Sequence, residues 1–162
     1  MNDLYLKMGS VQYKIVERLI QDEEFCKLLR YTDKNFKEQP PVENPDSLVH
    51  REIILNPELP DDSEEKGAIV SLLIDSFDLN SENESFNTIE IVFAVLMSSD
   101  RWGVNAVAQR PFLIMDRIHK NLNGKNIEGI GKFYIKNGGF ISPAGTKLSG
   151  YALMGSYDAF NK

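Results

Sequence analysis

The chain has 162 residues, of which 42% are hydrophobic and 26% are charged, and its formal net charge is −6. These values are ordinary for a globular protein, so they exclude wholesale disorder, and the length fits one domain with its own core. The negative charge argues against a broad nucleic-acid-binding surface, because that mode of binding depends on lysine and arginine side chains that displace counterions from phosphates.

Two helices are predicted at the beginning of the chain. From Ser10 to Ile20 the apolar residues recur at helical spacing, and polar residues fill the other face. Asp22 then offers an N-cap for a shorter helix that has two glutamates in its first turn. Cys26 is the only cysteine, which excludes an internal disulfide and fits a reducing cytoplasm. Its neighbours are apolar, so we expect a buried structural thiol in preference to a nucleophile.

A polar stretch with three prolines follows these helices. Residues 32–48 are expected to form a linker or surface arm, because Pro40, Pro41 and Pro45 do not fit a helix interior and favour an extended path. Apolar residues within 49–55 then predict a first strand. An acidic loop at 56–66 is expected after it.

Two long apolar runs occupy the centre of the sequence. Residues 68–79 and 88–97 are joined by a polar connection of about eight residues, a layout that predicts a hairpin of central strands. Both runs are apolar on both faces. We therefore expect one face to meet helices, and the other to meet more of the same subunit or a neighbouring subunit.

The polar corner at residues 98–103 connects this hairpin to the strongest helix in the chain. Ile114, Ile118 and Leu122 recur at four-residue spacing in Arg110–Leu122, and proline at the second position suits a first helical turn. The following Asn-Gly pair is typical of a C-cap.

Two further strands, at 130–135 and 151–157, complete the predicted order. The glycine-rich stretch 137–150 between them is expected to be a mobile or functional loop. Strands interrupted by a single helix predict an α+β fold: a mostly antiparallel sheet of about four to five strands with helices packed on one face. The longest apolar runs are far shorter than the roughly 20 residues that span a bilayer. The first eight residues lack a basic leader and an apolar core, so no secretory signal peptide is expected.

No group of residues indicates a reaction, a cofactor or a metal site. Residues 124–132 contain the glycines and the lysine of a phosphate loop, but they follow a helix and precede a strand, which favours a turn. His50 and His119 belong to no metal-ligand pattern, and the acidic loops lack the spacing of a calcium site. The prediction is therefore no catalytic, cofactor-binding or metal-binding residue.

The acidic residues cluster in two expected loops. Either these loops are solvated connectors, or one of them faces DNA that passes without sticking, since like charge repels phosphate. The candidates for this second role are Asp61, Asp62, Glu64, Glu65, Glu82 and Glu84.

Trp102, the only tryptophan, has two interpretations of equal weight. Tryptophan often supplies binding energy at protein contacts, so Trp102 is a candidate interface anchor. It is equally compatible with a corner residue that covers the core where a strand leads into a helix.

Several short strings together resemble a known group of proteins. They are Glu-Glu-Phe-Cys-Lys-Leu-Leu-Arg-Tyr-Thr at 23–32, the run 93–102, Arg-Pro-Phe-Leu-Ile-Met-Asp-Arg-Ile-His at 110–119, and Gly-Ile-Gly-Lys at 129–132. With the helical start and the strand pair, this layout resembles tailed-bacteriophage neck proteins, namely tail terminators and head–tail joining proteins. The resemblance covers roughly residues 10–135 and includes no catalytic signature.

The resemblance implies a single tail-terminator-like domain over residues 1–162. Two stretches depart from the family pattern, namely the proline-bearing segment 36–60 and the glycine-rich stretch 137–150, and extended arms or loops are expected at about 32–48, 56–66 and 137–150. It implies a structural virion protein, not an enzyme, that assembles in the bacterial host cytoplasm into a homo-oligomeric ring of six or twelve copies at the phage neck. Such a ring surrounds the DNA conduit between portal and tail proteins, and DNA passes through it without sequence-specific binding. The candidate subunit-contact residues are Trp102, Arg101, Arg110, Phe140 and Ile141.

Two other functions remain open from the sequence. One is a small-molecule-binding or hydrolytic α+β domain with a pocket near Trp102, His119 and the 137–150 loop. The other is a cellular adaptor that binds protein partners and has no role in a virion.

Overall fold

Three α-helices and six β-strands make up the regular structure of residues 5–58, 66–80, 82 and 85–158, which the computed structural model describes. The helices are α1 (Leu6–Ile20), α2 (Glu23–Arg30) and α3 (Arg110–Leu122). The strands are β1 (Ile53–Ile54), β2 (Ile69–Asn80), β3 (Ser85–Ser98), β4 (Lys125–Ile127), β5 (Gly131–Ile141) and β6 (Leu148–Asp158).

All six strands form one sheet in the order β1-β2-β3-β6-β5-β4. The pairing of β1 with β2 is parallel, and the other four pairings are antiparallel. The predicted α+β class with a mostly antiparallel sheet is confirmed. The structure adds one strand to the expected number, since the short β4 follows directly after α3.

The main core lies between the helices and one face of the sheet. Leu72, Phe93 and Leu153 lie side by side on β2, β3 and β6. They belong to the same buried cluster as Ile15 of α1 and Ile118 of α3. The apolar stripes predicted for α1 and α3 thus pack against the long central strands. None of the described helices is long and apolar enough to cross a membrane.

The opposite face of the sheet carries a much smaller apolar cluster. Its buried members are Ile54, Ile69, Leu96 and Leu148, all of which are strand residues. One face of the sheet thus packs on the helices and the other carries only a small cluster. This agrees with the expectation that the two faces of the hairpin meet different surroundings.

Two predicted helix ends are confirmed at the level of individual atoms. The Asp22 carboxylate accepts a hydrogen bond from the Phe25 amide at 3.0 Å and caps α2. The same carboxylate accepts hydrogen bonds from Arg117 and Asn121 of α3, so the cap also joins two helices. Just after the C-terminal end of α3, Gly124 has a φ of 68°, a left-handed backbone conformation that favours glycine.

The segment 32–48 packs on the core and is not a free arm. Phe36 and Leu48 are almost fully buried in the main cluster, each within a short 3-10 turn. The prolines exclude an α-helix, as expected, but these two apolar side chains fix the path to the domain. The predicted strand at 49–55 shortens to Ile53–Ile54, because the chain turns at His50, where φ is 67°.

The predicted glycine-rich loop at 137–150 is wrong over most of its length. The chain continues as strand through Ile141 and again from Leu148, so the loop contains only residues 142–147. A Cβ atom at Gly150 would collide with the Val95 carbonyl oxygen of the neighbouring strand. This glycine therefore permits close approach of strands, and does not provide loop mobility. The acidic loop at 56–66 lies mainly outside the described residues.

Candidate subunit-contact surfaces

Four aromatic side chains from separate elements meet on the surface around Tyr151 of β6. Its ring centroid lies 6.0 Å from Trp102, 5.1 Å from Phe112 of α3 and 5.9 Å from Phe140 of β5. Phe112 is 46% exposed and Phe140 is 62% exposed. We call these four residues the aromatic patch. Clustered aromatic rings in contact with water are typical of protein interaction sites.

Trp102 is both a corner residue and a member of the aromatic patch. Its backbone amide donates to the Ser99 carbonyl oxygen, and its carbonyl oxygen accepts a 2.7 Å hydrogen bond from the amide of Arg110, the first residue of α3. The ring is half-buried. Its indole Nε1 is shielded from solvent, with no hydrogen-bond acceptor among the described residues. Trp102 thus connects the end of β3 to α3, while one side of its ring remains at the surface.

Arg110 holds this corner in place from inside the protein. Its side chain is 1% exposed, and the guanidinium lies 5.6 Å from the centre of the Phe36 ring. Burial lowers the pKa of Arg110 to about 10. The guanidinium donates to the carbonyl oxygens of Leu28, Tyr31, Thr32, Asp33 and Arg101. Arg110 is therefore an internal structural residue. It is not the subunit-contact residue that was predicted from the sequence, because its side chain is buried.

The other candidate contact residues occupy different positions. Arg101 adjoins the aromatic patch and forms an ion pair with Asp100 at 3.3 Å. Phe140 belongs to the aromatic patch, but Ile141, the next residue of the strand, packs against the small cluster on the opposite face of the sheet. The structure thus brings Trp102 and Phe140 together around Tyr151, leaves Arg101 next to Trp102 in the chain, and separates Ile141 from them.

Sequence reasoning missed two members of the aromatic patch, Phe112 and Tyr151. Phe112 is a large apolar residue that lies off the Ile114–Ile118–Leu122 stripe, and this was a usable signal of an exposed contact. Tyr151 gave no such signal, because its position beside three rings depends on the pairing of β6 with β5.

Two long strands expose their outer edges. β1 pairs with β2 only at Val70 and Ser71, and the Gln12 side chain binds the Leu72 carbonyl oxygen at 2.9 Å. Beyond this point residues 75–79 are all exposed, and we call them the β2 edge. On the other side of the sheet β4 pairs only with residues 131–133, and residues 136–140 are all exposed. We call these residues the β5 edge.

The acidic residues are described only in part. Glu82 is exposed near the end of the β2–β3 hairpin, and its amide hydrogen bonds to the Asn80 side chain. Asp61, Asp62, Glu64, Glu65 and Glu84 lie outside the described residues. Within the described ranges, no three acidic, histidine or cysteine side chains group in a way that could hold a metal ion.

The residues of the alternative pocket do not converge. His119 is exposed on α3, nine residues after Arg110, which places it roughly 13 Å along the helix from the Trp102 corner. A groove of about 240 Å³ lies elsewhere, between α1 and the β4–β5 turn, where Lys14 donates to the Glu128 carbonyl oxygen at 3.0 Å. Within 124–132, where a turn is predicted, residue 124 and residues 128–130 are turns, whereas 125–127 form β4 and 131–132 begin β5.

Cys26 is buried, as predicted. Burial raises the pKa of its thiol to about 12, and the nearby Asp22 carboxylate acts in the same direction. The thiol Sγ donates to the Ile20 carbonyl oxygen at 3.2 Å. These properties are those of a protonated structural cysteine, because a nucleophilic cysteine needs a lowered pKa.

The chain matches a known protein family over most of its length. The model of the family described as YomW matches residues 22–157, which include α2, α3, β1 to β5 and all of β6 except its last residue. The aromatic patch and both exposed edges lie within the matched range. No curated protein gives a significant match to the chain.

Proposed function

The chain belongs to the YomW family and is a phage-associated protein, and from this premise we propose that it is a structural protein of the virion neck. In this proposal copies of the chain form a closed ring around the DNA conduit, as a head–tail joining protein or tail terminator. The ring contacts portal or connector proteins on one side and tail proteins on the other. It is assembled in the bacterial host cytoplasm, and its role requires no catalysis.

The observation that carries the proposal is the aromatic patch. Phe112 and Phe140 each leave about half or more of their surface in water, and neither belongs to the main buried cluster. Aromatic side chains supply much of the binding energy at protein interfaces, particularly where they cluster. A partner protein that covers the aromatic patch would remove these rings from water. The Arg110 hydrogen bonds support such a contact, since they hold the Trp102 corner in one arrangement before a partner binds.

The charge of the chain supports a conduit that DNA does not bind. The net charge is −6, and the exposed Glu82 lies near the end of the β2–β3 hairpin, beyond the β2 edge. Like charge repels phosphate, so acidic side chains that line a channel let a polyanion move without adhesion. We propose that this end of the hairpin faces the lumen of the ring.

Co-sedimentation with the portal and tail-tube proteins of the same phage genome tests the proposed role. We expect the chain to sediment with at least one of them as a ring. The variant Phe112→Ser should weaken that association at least tenfold, because Phe112 is 46% exposed in the aromatic patch and lies outside both strand edges.

Tyr13→Ser is the matched control, because Tyr13 is 52% exposed on α1 and lies outside the aromatic patch. It should associate like the wild type. A chain that stays monomeric, both alone and with either partner, would overturn the proposed role.

A further inference from the structure

Both long outer strands contain five consecutive exposed residues. Neighbouring residues of a strand point to opposite faces of the sheet, so a run of five exposed residues leaves part of both faces in water. This holds for the β2 edge, 75–79, and for the β5 edge, 136–140. Phe77 still contacts the rings of Tyr5 and Phe86, and Phe140 contacts Tyr151.

Exposed edges present backbone donors and acceptors to other strands, and natural proteins usually cover them or blunt them, for example with bulges. β2 has register shifts between Ile74 and Ser76 and between Asp78 and Leu79, and β5 has one between Ile135 and Asn137.

The two outer strands carry opposite charge. β2 contains Asp75 and Asp78 and has no basic residue, whereas β5 contains Lys132 and Lys136 and has no acidic one. All four side chains are exposed. A contact of β2 with β2 or of β5 with β5 would bring like charges together. A contact of β2 with β5 brings unlike charges together, and such complementarity favours one pairing over the others.

Both edges also present large apolar side chains. Phe77 of β2 is 45% exposed, Leu79 of the same strand is 39% exposed, and Phe140 of β5 is the most exposed ring of the aromatic patch. An intermolecular pairing of these strands would cover apolar surface as well as satisfy backbone groups.

The strand directions suit a head-to-tail contact. Each of the pairings β2–β3, β3–β6 and β6–β5 is antiparallel, so β2 and β5 run in opposite directions. When one subunit is rotated into the position of the next, its β2 therefore meets β5 of its neighbour in an antiparallel arrangement. Antiparallel pairs have the stronger backbone hydrogen bonds, and a contact between two different surfaces can close into a ring.

The two edges lie at different heights on the sheet. Across the paired strands, Phe77 of β2 lies at the same height as Phe133 of β5. Gly138 of β5 lies at the height of Leu72 of β2. Bringing the edges together therefore displaces neighbouring subunits by about five residues, roughly 17 Å, along the strands. A stagger of this kind accompanies the tilt of strands in closed sheets.

We propose that the occupant of these edges is a second copy of this chain, and that the ring closes by pairing the β2 edge of each subunit with the β5 edge of the next. This inference deepens the proposed neck role. The closed ring rests on that proposal, whereas the pairing of the two edges can be tested on the purified chain alone.

Charge reversal on one edge at a time tests the pairing. D75K/D78K makes the β2 edge basic, like β5, and K132E/K136E makes β5 acidic, like the β2 edge. Lys136 lies in the β5 edge, and Lys132 lies in the part of β5 that pairs with β4. We expect each variant alone to need at least a tenfold higher concentration than the wild type to assemble, as measured by light scattering after size exclusion. An equimolar mixture of the two should assemble again, because each basic edge then meets an acidic one. The chain with all four substitutions should assemble alone.

The controls separate folding from contact. Thermal unfolding should show that both variants fold, since the Lys136–Glu90 pair that K132E/K136E breaks is exposed and exposed pairs contribute little. E17K/E38K changes the charge of the chain as much as D75K/D78K does, at exposed sites on α1 and on a 3-10 turn, and should leave assembly unchanged.

Each outcome decides between the two proposals. Unchanged assembly of both reversed variants, or no recovery in their mixture, would overturn the edge pairing and leave the neck role intact. A wild-type chain that remains monomeric at every concentration would overturn it as well. Recovery in the mixture without any association with portal or tail proteins would support the edge pairing and contradict the neck role.

Discussion

The Arg110 guanidinium donates a 2.8 Å hydrogen bond to the carbonyl oxygen of Leu28, which lies 82 residues earlier in the chain. Leu28 is in α2, and Arg110 begins α3 beside the Trp102 corner. This contact connects the N-terminal helices to the point where the sheet leads into α3. The aromatic patch depends on that point, because Trp102 and Phe112 lie on either side of Arg110 in the sequence.

Replacement of Arg110 should destabilise the fold strongly. Arg110→Met fills much of the same space but leaves several carbonyl oxygens near α2 without a donor, and each buried unsatisfied group is costly. We expect a loss of about 2–4 kcal/mol in the free energy of unfolding, measured with urea. Arg18→Met, at an exposed site on α1, is the control and should change it by less than about 0.5 kcal/mol. Equal stability of the two variants would contradict the role given to Arg110.

Gly67 should be intolerant of any side chain. A Cβ atom there would collide with the carbonyl oxygens of Leu28 and Tyr31, and would lie 3.0 Å from the Arg110 Nη1 atom. Gly67→Ala therefore opposes backbone atoms that cannot move freely, and we expect it to cost about 1–3 kcal/mol of stability. Gly9→Ala should have the opposite sign, because Gly9 is within α1 and has open space around it. The midpoints of thermal unfolding of the two variants test this contrast.

The stability of the protein should depend on the charge of Asp22 at low pH. Burial alone raises the pKa of Asp22, but hydrogen bonds from the Phe25 amide, Arg117 and Asn121 outweigh it and lower the pKa overall. A lowered pKa in the folded state means that the carboxylate stabilises the protein above its unfolded pKa of about 3.9. That contribution is lost as the pH falls through the folded value.

Asp22→Asn removes the charge and keeps the shape of the side chain. We expect the difference in unfolding free energy between wild type and variant to be greatest at pH 5–7 and to shrink towards pH 3. Urea unfolding at pH 7, 5 and 3 measures it. A difference that does not change with pH would show that the charge of Asp22 contributes nothing.

Trp102 should act through its ring and not through its indole nitrogen. Nε1 has no acceptor among the described residues, so Trp102→Phe removes no hydrogen bond that the structure shows and keeps an aromatic ring beside Tyr151. We expect this variant to fold and assemble like the wild type. Trp102→Ala should lower the unfolding free energy by about 2–3 kcal/mol and impair assembly. Loss of a chemical activity with assembly intact would contradict a structural role for Trp102.

Local signals predicted the helices well. The bounds of α3 agree with the apolar spacing of Arg110–Leu122, and Asp22 caps α2 as its side-chain chemistry indicates. Both features depend on residues that are close in sequence. The same kind of reasoning identified Cys26 as a buried thiol.

Long-range packing decided what local signals could not. The glycines at 138, 139 and 150 suggested a loop, but in the structure they belong to β5 and β6. Phe36 and Leu48 lie in a segment whose prolines indicated an arm, and only the completed core shows where they are buried. The aromatic patch likewise depends on four elements meeting, so only Trp102 and Phe140 were recognised beforehand.

The location of the chain in the virion tests the central claim most directly. We predict that cryo-electron microscopy of purified phage particles shows a closed ring at the junction of portal and tail, and that this structure fits the ring density with β2 of each copy beside β5 of the next. Complete, infectious particles that contain none of this chain by mass spectrometry would contradict the account.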